Sequence, residues 1–143
     1  AKMTQLLFNR DDELAQWAEN KYPDCAPLSR PLTSIGIASS EGKILGVAIY
    51  HNFRQNDVEI TFITTTPRWA TLGNVRALLH YPFIQLGVQR MTAITKKSNK
   101  QARKFLSGIG FLLEGTHPYA ANGKTACTYG LYLDNAKKRW LHG

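Results

Sequence analysis

The sequence predicts a mixed α/β domain built around one sheet, and three observations lead there. Hairpin signals come first, at Ser40-Glu41-Gly42 and at the turn-like Arg54-Gln55-Asn56. Strand and helix patterns then alternate, and an Asn122-Gly123 hairpin closes the chain. Residues 57–65 alternate with a period of two, Val58, Ile60 and Phe62 on one face and Glu59, Thr61 and Ile63 on the other. Residues 98–110 carry a helical stripe of Ala102, Phe105, Leu106 and Ile109, stopped by Gly108 and Gly110.

Taken in order, Gln5–Phe8 reads as a short strand. Arg10–Asn20 reads as a helix, with Asp11, Asp12 and Glu13 favourable in its first turn and Leu14, Trp17 and Ala18 on one face. Tyr22–Leu32, with Pro23, Pro27 and Pro31, is an irregular loop, either a surface connection or a flap beside a cleft. Ser34–Ser39 and Lys43–His51 are strands joined as a hairpin, and Asp57–Thr65 is the next strand. A helix is expected over Thr71–Leu86, kinked or broken near Tyr81 because Pro82 lacks an N–H, and ended by Gly87. Arg90–Thr95 is a strand. Ser98 and Gln101 fit a capping box for the following helix, and Phe111-Leu112-Leu113 starts a strand. Thr116–Ala121 and Ala126–Leu133 form the closing hairpin, with a short basic tail at Asn135–Leu141.

At 143 residues and 43% hydrophobic composition, residues 1–143 make one domain able to bury a core unaided. Cys25 and Cys127 have neither metal-ligand nor redox spacing, so two reduced thiols and no metal are expected. No apolar run is long enough to span a bilayer, and Lys2 is not followed by a signal-peptide core. The expected setting is cytoplasmic, without a membrane partner. The net charge of +8 points to a polyanion, either nucleic acid or a phosphate-rich cofactor, or to a basic solvated surface. Lys96, Lys97, Lys100, Arg103 and Lys104 cluster at a helix start, where backbone N–H groups already favour anions.

The pattern Asn99-x-x-Ala102, Leu106, Gly110-Phe111-x-x-Glu114-Gly115 resembles the C-terminal half of the GNAT superfamily of N-acetyltransferases. Thr66-Pro67-Arg68-Trp69-Ala70-Thr71 and Tyr81-Pro82-Phe83-x-Gln85-Leu86-Gly87 resemble a branch of it found in phages and prophages, which would place the protein in a host cytoplasm. The resemblance runs from about Ser34 to Trp140. It implies the GNAT fold, a twisted, mostly antiparallel sheet splayed at its centre with helices on both faces. It also implies transfer of an acetyl group from acetyl-CoA to a small-molecule or protein amine by direct attack, with homodimers formed through edge strands. Two alternatives stay open: a phage protein that binds or modifies nucleobases, and a catalytically weak GNAT pseudo-enzyme.

The resemblance also implies site residues. The family's phosphate-binding pattern falls on Ala70-x-x-Gly73-x-Val75, followed by Arg76. Only Gly73 keeps its glycine; Arg68 or Arg76 supplies charge, and Asn74 lies within the loop. Ile63, Thr64 and Thr65 are expected to bind the pantetheine arm through their backbone as an added strand would. Asn99 sits where the family contacts the coenzyme, or it caps the helix, and Arg103 belongs to the basic cluster beside it. Glu59, in Glu59-Ile60-Thr61-Phe62, is the candidate general base, or else a solvent-facing strand glutamate. The family's acidic tyrosine is replaced by Leu106. Tyr119 is the candidate substitute, with Tyr129, His117 and Ser107 beside it.

Overall fold

The structure, a computed structural model, describes residues 3–142; Lys2, read above for a leader, lies outside them. Seven strands form one sheet: β1 (Thr4–Leu7), β2 (Leu32–Ser39), β3 (Ile44–Arg54), β4 (Asp57–Thr64), β5 (Arg90–Lys96), β6 (Leu112–Ala121) and β7 (Lys124–Tyr132). Their order is β1-β2-β3-β4-β5-β7-β6. Every neighbouring pair is antiparallel except β4 and β5. The helices are α1 (Asp11–Lys21), α2 (Leu72–His80), α3 (Lys100–Ile109) and α4 (Leu133–Arg139).

Side-chain alternation divides the core between two faces. On one, Leu14, Ala15 and Ala18 of α1 pack on Val47 and Ile49, with Ile63 at the border. On the other, Val75, Leu78 and Leu79 of α2, Leu106 and Ile109 of α3 and Ala136 of α4 cover Ala48, Tyr50, Val58, Met91, Tyr129 and Leu131. Helices therefore lie on both faces, as expected. The face of β5, β7 and β6 on the α1 side carries Arg90, Thr92, Thr128 and Tyr132 together with the exposed Ile94 and Leu112.

One local expectation is met and two are revised. The α-helix breaks off at Tyr81 as expected: α2 ends at His80 and passes into a π-helical turn, Tyr81–Leu86, ended by Gly87 in the left-handed region (φ 76°). Pro82 has no N–H to give Leu78 four residues back, and the buried Tyr50 hydroxyl donates to the Leu78 carbonyl instead (2.6 Å). The cap of α3 is Asn99, whose side chain accepts from Ala102 N at 3.1 Å, rather than Ser98. The strand after Gly110 runs unbroken from Leu112 to Ala121, bulged at Leu113/Gly115 and between His117 and Ala121.

Candidate functional site

β4 and β5 pair over only four rows, Asp57–Ile60 with Arg90–Ala93. Both strands continue, to Thr64 and Lys96, without a partner between them, so a wedge opens in the middle of the sheet. Which backbone groups face the wedge follows from register. Thr65 N donates to Leu45 O, and successive β3–β4 pairs run Val47↔Ile63, Ile49↔Thr61 and His51↔Glu59. In an antiparallel pair, hydrogen-bonded rows alternate with rows whose groups point outward. Ile63 and Thr65 are thus turned toward β3, and Phe62 and Thr64 present their N–H and C=O to the wedge. Of the expected trio, only Thr64 does so, and Phe62 joins it.

Both helix starts stand at the wedge's open end. Thr66 caps a single 3-10 turn, Pro67–Trp69, and Thr71 caps α2 by accepting from Asn74 N (3.1 Å). Val75 N bonds Thr71 O, which leaves Leu72 and Gly73 as the first-turn N–H groups without a backbone partner. The Asn74 side chain is buried and points back, donating to Thr4 Oγ1 (2.9 Å) and Trp69 O (2.7 Å). Val75 is buried in the core, whereas Arg68 and Arg76 are exposed. Asn74 and Val75 therefore shape this helix start, and Leu72, missed in the sequence, shares its outward face with Gly73.

At α3 the Asn99 side chain is used as the cap. Arg103 Nε donates to the Tyr129 hydroxyl (2.9 Å) and its Nη1 to Lys97 O (3.1 Å), tying α3 to β7 and to the preceding turn. A hollow of about 410 Å³ lined by Lys97, Ser98, Lys100, Arg103, Lys124 and Thr125 gives this corner its positive character. Trp69 and Phe105 pack edge to face (4.9 Å), and both rings lie on Phe62 (4.3 and 6.1 Å). This aromatic wall joins the two helix starts.

Glu59 is on the opposite face, one row before the strands part. Its side chain is 20% exposed, accepts from Asn52 Nδ2 (2.9 Å) and lies 3.6 Å from His51 Nε2. His51 is only 6% exposed. Burial lowers its pKa from the ordinary 6.5, and the neighbouring Glu59 carboxylate partly opposes that shift. A second carboxylate group lies beyond. Asp57 accepts from Thr92 Oγ1 (2.8 Å), and Arg90 bridges Asp57 and Glu114. The loop after α1 is pinned by Leu28 N to Glu19 (2.9 Å) and reaches His51 through Ser29.

The structure does not bring Tyr119 to Glu59. Tyr119 is 83% exposed in the β6 bulge with φ 66°. It lies three strands across the sheet from β4, about 14 Å at roughly 4.8 Å per strand, and further along the strand direction. Leu106 is core. Tyr129 is buried with its hydroxyl on Arg103, and His117 is on β6 beside Thr128. Among the described residues, no three His, Cys, Asp or Glu side chains cluster as metal ligands, and no helix is long and apolar enough to cross a membrane.

No protein-family model and no curated protein sequence matches the chain. Solved structures do. The ribosomal-protein-S5-alanine acetyltransferase from Vibrio fischeri superposes with a TM-score of 0.71 at 15% identity, covering 98% of this chain and 96% of that one. A chimera of the spermidine N-acetyltransferase SpeG from Vibrio cholerae and hSSAT gives 0.73 at 12% identity, covering 95% and 99%. A GNAT-family acetyltransferase from Bacillus anthracis gives 0.59 at 16% identity, covering 71% and 66%. The fold is that of the GNAT acetyltransferases.

Proposed function

We propose that the protein is an acyl-CoA-dependent N-acetyltransferase that moves an acetyl group from acetyl-CoA to an amine. The observation that carries this reading is the wedge between β4 and β5, where the outward N–H and C=O groups of Phe62 and Thr64 want a strand-like partner. The pantetheine arm, with its two amides, is such a partner. The Leu72 and Gly73 N–H groups, with Arg68 and Arg76 nearby, fit a pyrophosphate, and the Lys97–Arg103 corner fits a further phosphate. Acetyl-CoA is a co-substrate that brings an activated thioester. Amine acceptors accord with the reactions named for the two Vibrio proteins. The phage or prophage assignment rests on the Thr66–Thr71 and Tyr81–Gly87 segments alone.

The chain's own chemistry is proton handling. An acceptor arriving as an ammonium gives one proton to Glu59, and the free amine attacks the thioester carbonyl. As the N–C bond forms and the C–S bond breaks, the second proton leaves nitrogen and the thiolate takes it up. The net products are amide, thiol and one proton. With Leu106 where the family has tyrosine, no side chain here is assigned to donate to the thiolate, and water fills that part.

Calorimetry with acetyl-CoA, followed by thiol release over a panel of polyamines, peptide N-termini and aminoglycosides, tests the proposal. Expected are saturable binding and turnover of at least one amine, with kcat/KM falling about 10²–10⁴-fold in Glu59→Gln. Absence of binding at millimolar coenzyme would sink it. The nucleic-acid alternative draws on the +8 charge and requires salt-sensitive DNA binding, which a gel-mobility titration at low salt would reveal or reject.

A further inference from the structure

β3 and β4 meet in a one-residue bulge. Arg54 pairs with Asp57, yet His51 pairs with Glu59, so the register shifts between them. Asn52, inside the shift, adopts φ 51°, a left-handed conformation that asparagine tolerates. Two β3 side chains, His51 and Asn52, therefore converge on the single β4 carboxylate of Glu59. Ser29 closes the circle, with its Oγ 2.6 Å from His51 Nδ1 and 3.0 Å from Asn52 Oδ1.

The donors and acceptors fit only one direction around this ring. Asn52 Nδ2 donates to Glu59, so Asn52 Oδ1 is free to accept, and the Ser29 hydroxyl gives it its one proton. Ser29 Oγ must then accept from His51, which puts the imidazole proton on Nδ1. His51 Nε2 is left with its lone pair, accepting from Thr61 Oγ1 at 2.9 Å and facing Glu59 Oε2 at 3.6 Å. The charged group facing His51 is Glu59; Ser29, Asn52 and Thr61 are neutral.

We propose that His51 is a positioning residue that makes Glu59 and itself one proton-holding pair on the acceptor face, a reading that rests on acyl transfer at this site. The proton taken by Glu59 Oε2 from the acceptor ammonium passes to His51 Nε2 as the Thr61 hydroxyl turns its own proton away from Nε2 and the 3.6 Å gap to Glu59 closes. That leaves an imidazolium beside a carboxylate, and the proton later returns by the same path to solvent. The gain is basicity. A carboxylate alone is a poor base at neutral pH, whereas imidazole titrates closer to neutrality, and the Glu59 carboxylate opposes the lowering that burial imposes on His51.

Two measurements with the full chain test it. Imidazole 15N NMR, with the His51 signals identified by their loss in His51→Gln, should show the Nδ1–H tautomer near pH 7.5. Ser29→Ala should release that preference, and Glu59→Gln should lower the His51 pKa. An Nε2–H tautomer in the parent protein, or a pKa indifferent to Glu59→Gln, overturns the pair. In kinetics with one fixed amine, kcat/KM of the parent should fall on acidification through an imidazole-range pKa. His51→Gln should move that limb to lower pH and lower the plateau about ten-fold. An unmoved limb in a folded His51→Gln variant overturns the relay. The NMR arm decides the pair whether or not an amine is acetylated, so failure of acyl transfer itself is seen separately.

Discussion

Gly130 shows how closely one residue is specified. A Cβ built there would stand 2.7 Å from a Glu114 carboxylate oxygen, because the Glu114 side chain lies flat across β7 at this point. The carboxylate is pinned by both Arg90 Nη atoms (2.5 and 3.1 Å) and by the Tyr132 hydroxyl, so it cannot swing aside without losing charged hydrogen bonds. Gly130→Ala should cost roughly 1 kcal/mol, kept small by the partial exposure of the pair, and urea unfolding will read it. Titration of this region has a fixed sign. The hydrogen bonds from Arg90 and then Tyr132 hold the Glu114 carboxyl below its ordinary 4.5, so its contribution is complete above that value and is lost as pH falls through the depressed one. His51, lowered by burial, binds fewer protons folded than unfolded below 6.5, so acidification costs stability there too. The melting temperature should decline in two stages from pH 7 to pH 3, and His51→Gln should remove the upper stage. Glu114 was visible in the Gly-Phe-x-x-Glu-Gly pattern. Its partner Gly130 was not, because a bulge at Leu113/Gly115 decides which β7 residue lies beneath it.

Among the elements, α2 and its π-helical continuation depend on a group from another strand. Tyr50→Phe removes a buried hydrogen bond to the Leu78 carbonyl that Pro82 cannot replace, and should cost about 1 kcal/mol in thermal or urea unfolding. The cap of α3 separates two sequence readings cleanly. Asn99→Ala should destabilise by about 0.5–2 kcal/mol, and Ser98→Ala should be nearly silent. Strand existence, the alternation of β4 and the closing Asn122-Gly123 turn, with φ 50° and 82° at its two residues, were all legible from local pattern. Backbone direction was not. Side-chain periodicity says which face Ile63 occupies, but only the Thr65–Leu45 bond tells which way its N–H points. The same holds for His51 and Glu59. An unbulged hairpin from the Arg54/Asp57 turn would have set Asn52 opposite Glu59, and nothing in the residue types alone announces the extra residue.

At the scale of the whole molecule, the positive charge and the sheet make linked predictions. The proposed function predicts that acetyl-CoA affinity weakens as salt rises, because Arg68, Arg76, Lys97 and Lys100 are exposed and screened, and calorimetry at several ionic strengths will measure the slope. The narrow β4–β5 seam has a mechanical meaning. Four rows of ladder are the sheet's own connection between a four-stranded plate, β1 to β4, and a three-stranded plate, β5, β7 and β6. The plates resemble the boards of a book with a short spine, held together elsewhere by the packed side chains of α2, α3 and α4. A guest seated along Phe62 and Thr64 adds rungs where the spine is missing. Hydrogen exchange should therefore find the Phe62 and Thr64 amides fast and Ile63 and Thr65 slow in the free protein, with all four slow once the coenzyme is bound. On the proposed function, coenzyme capture would then finish the spine, lending the sheet the rungs that its own strands leave out.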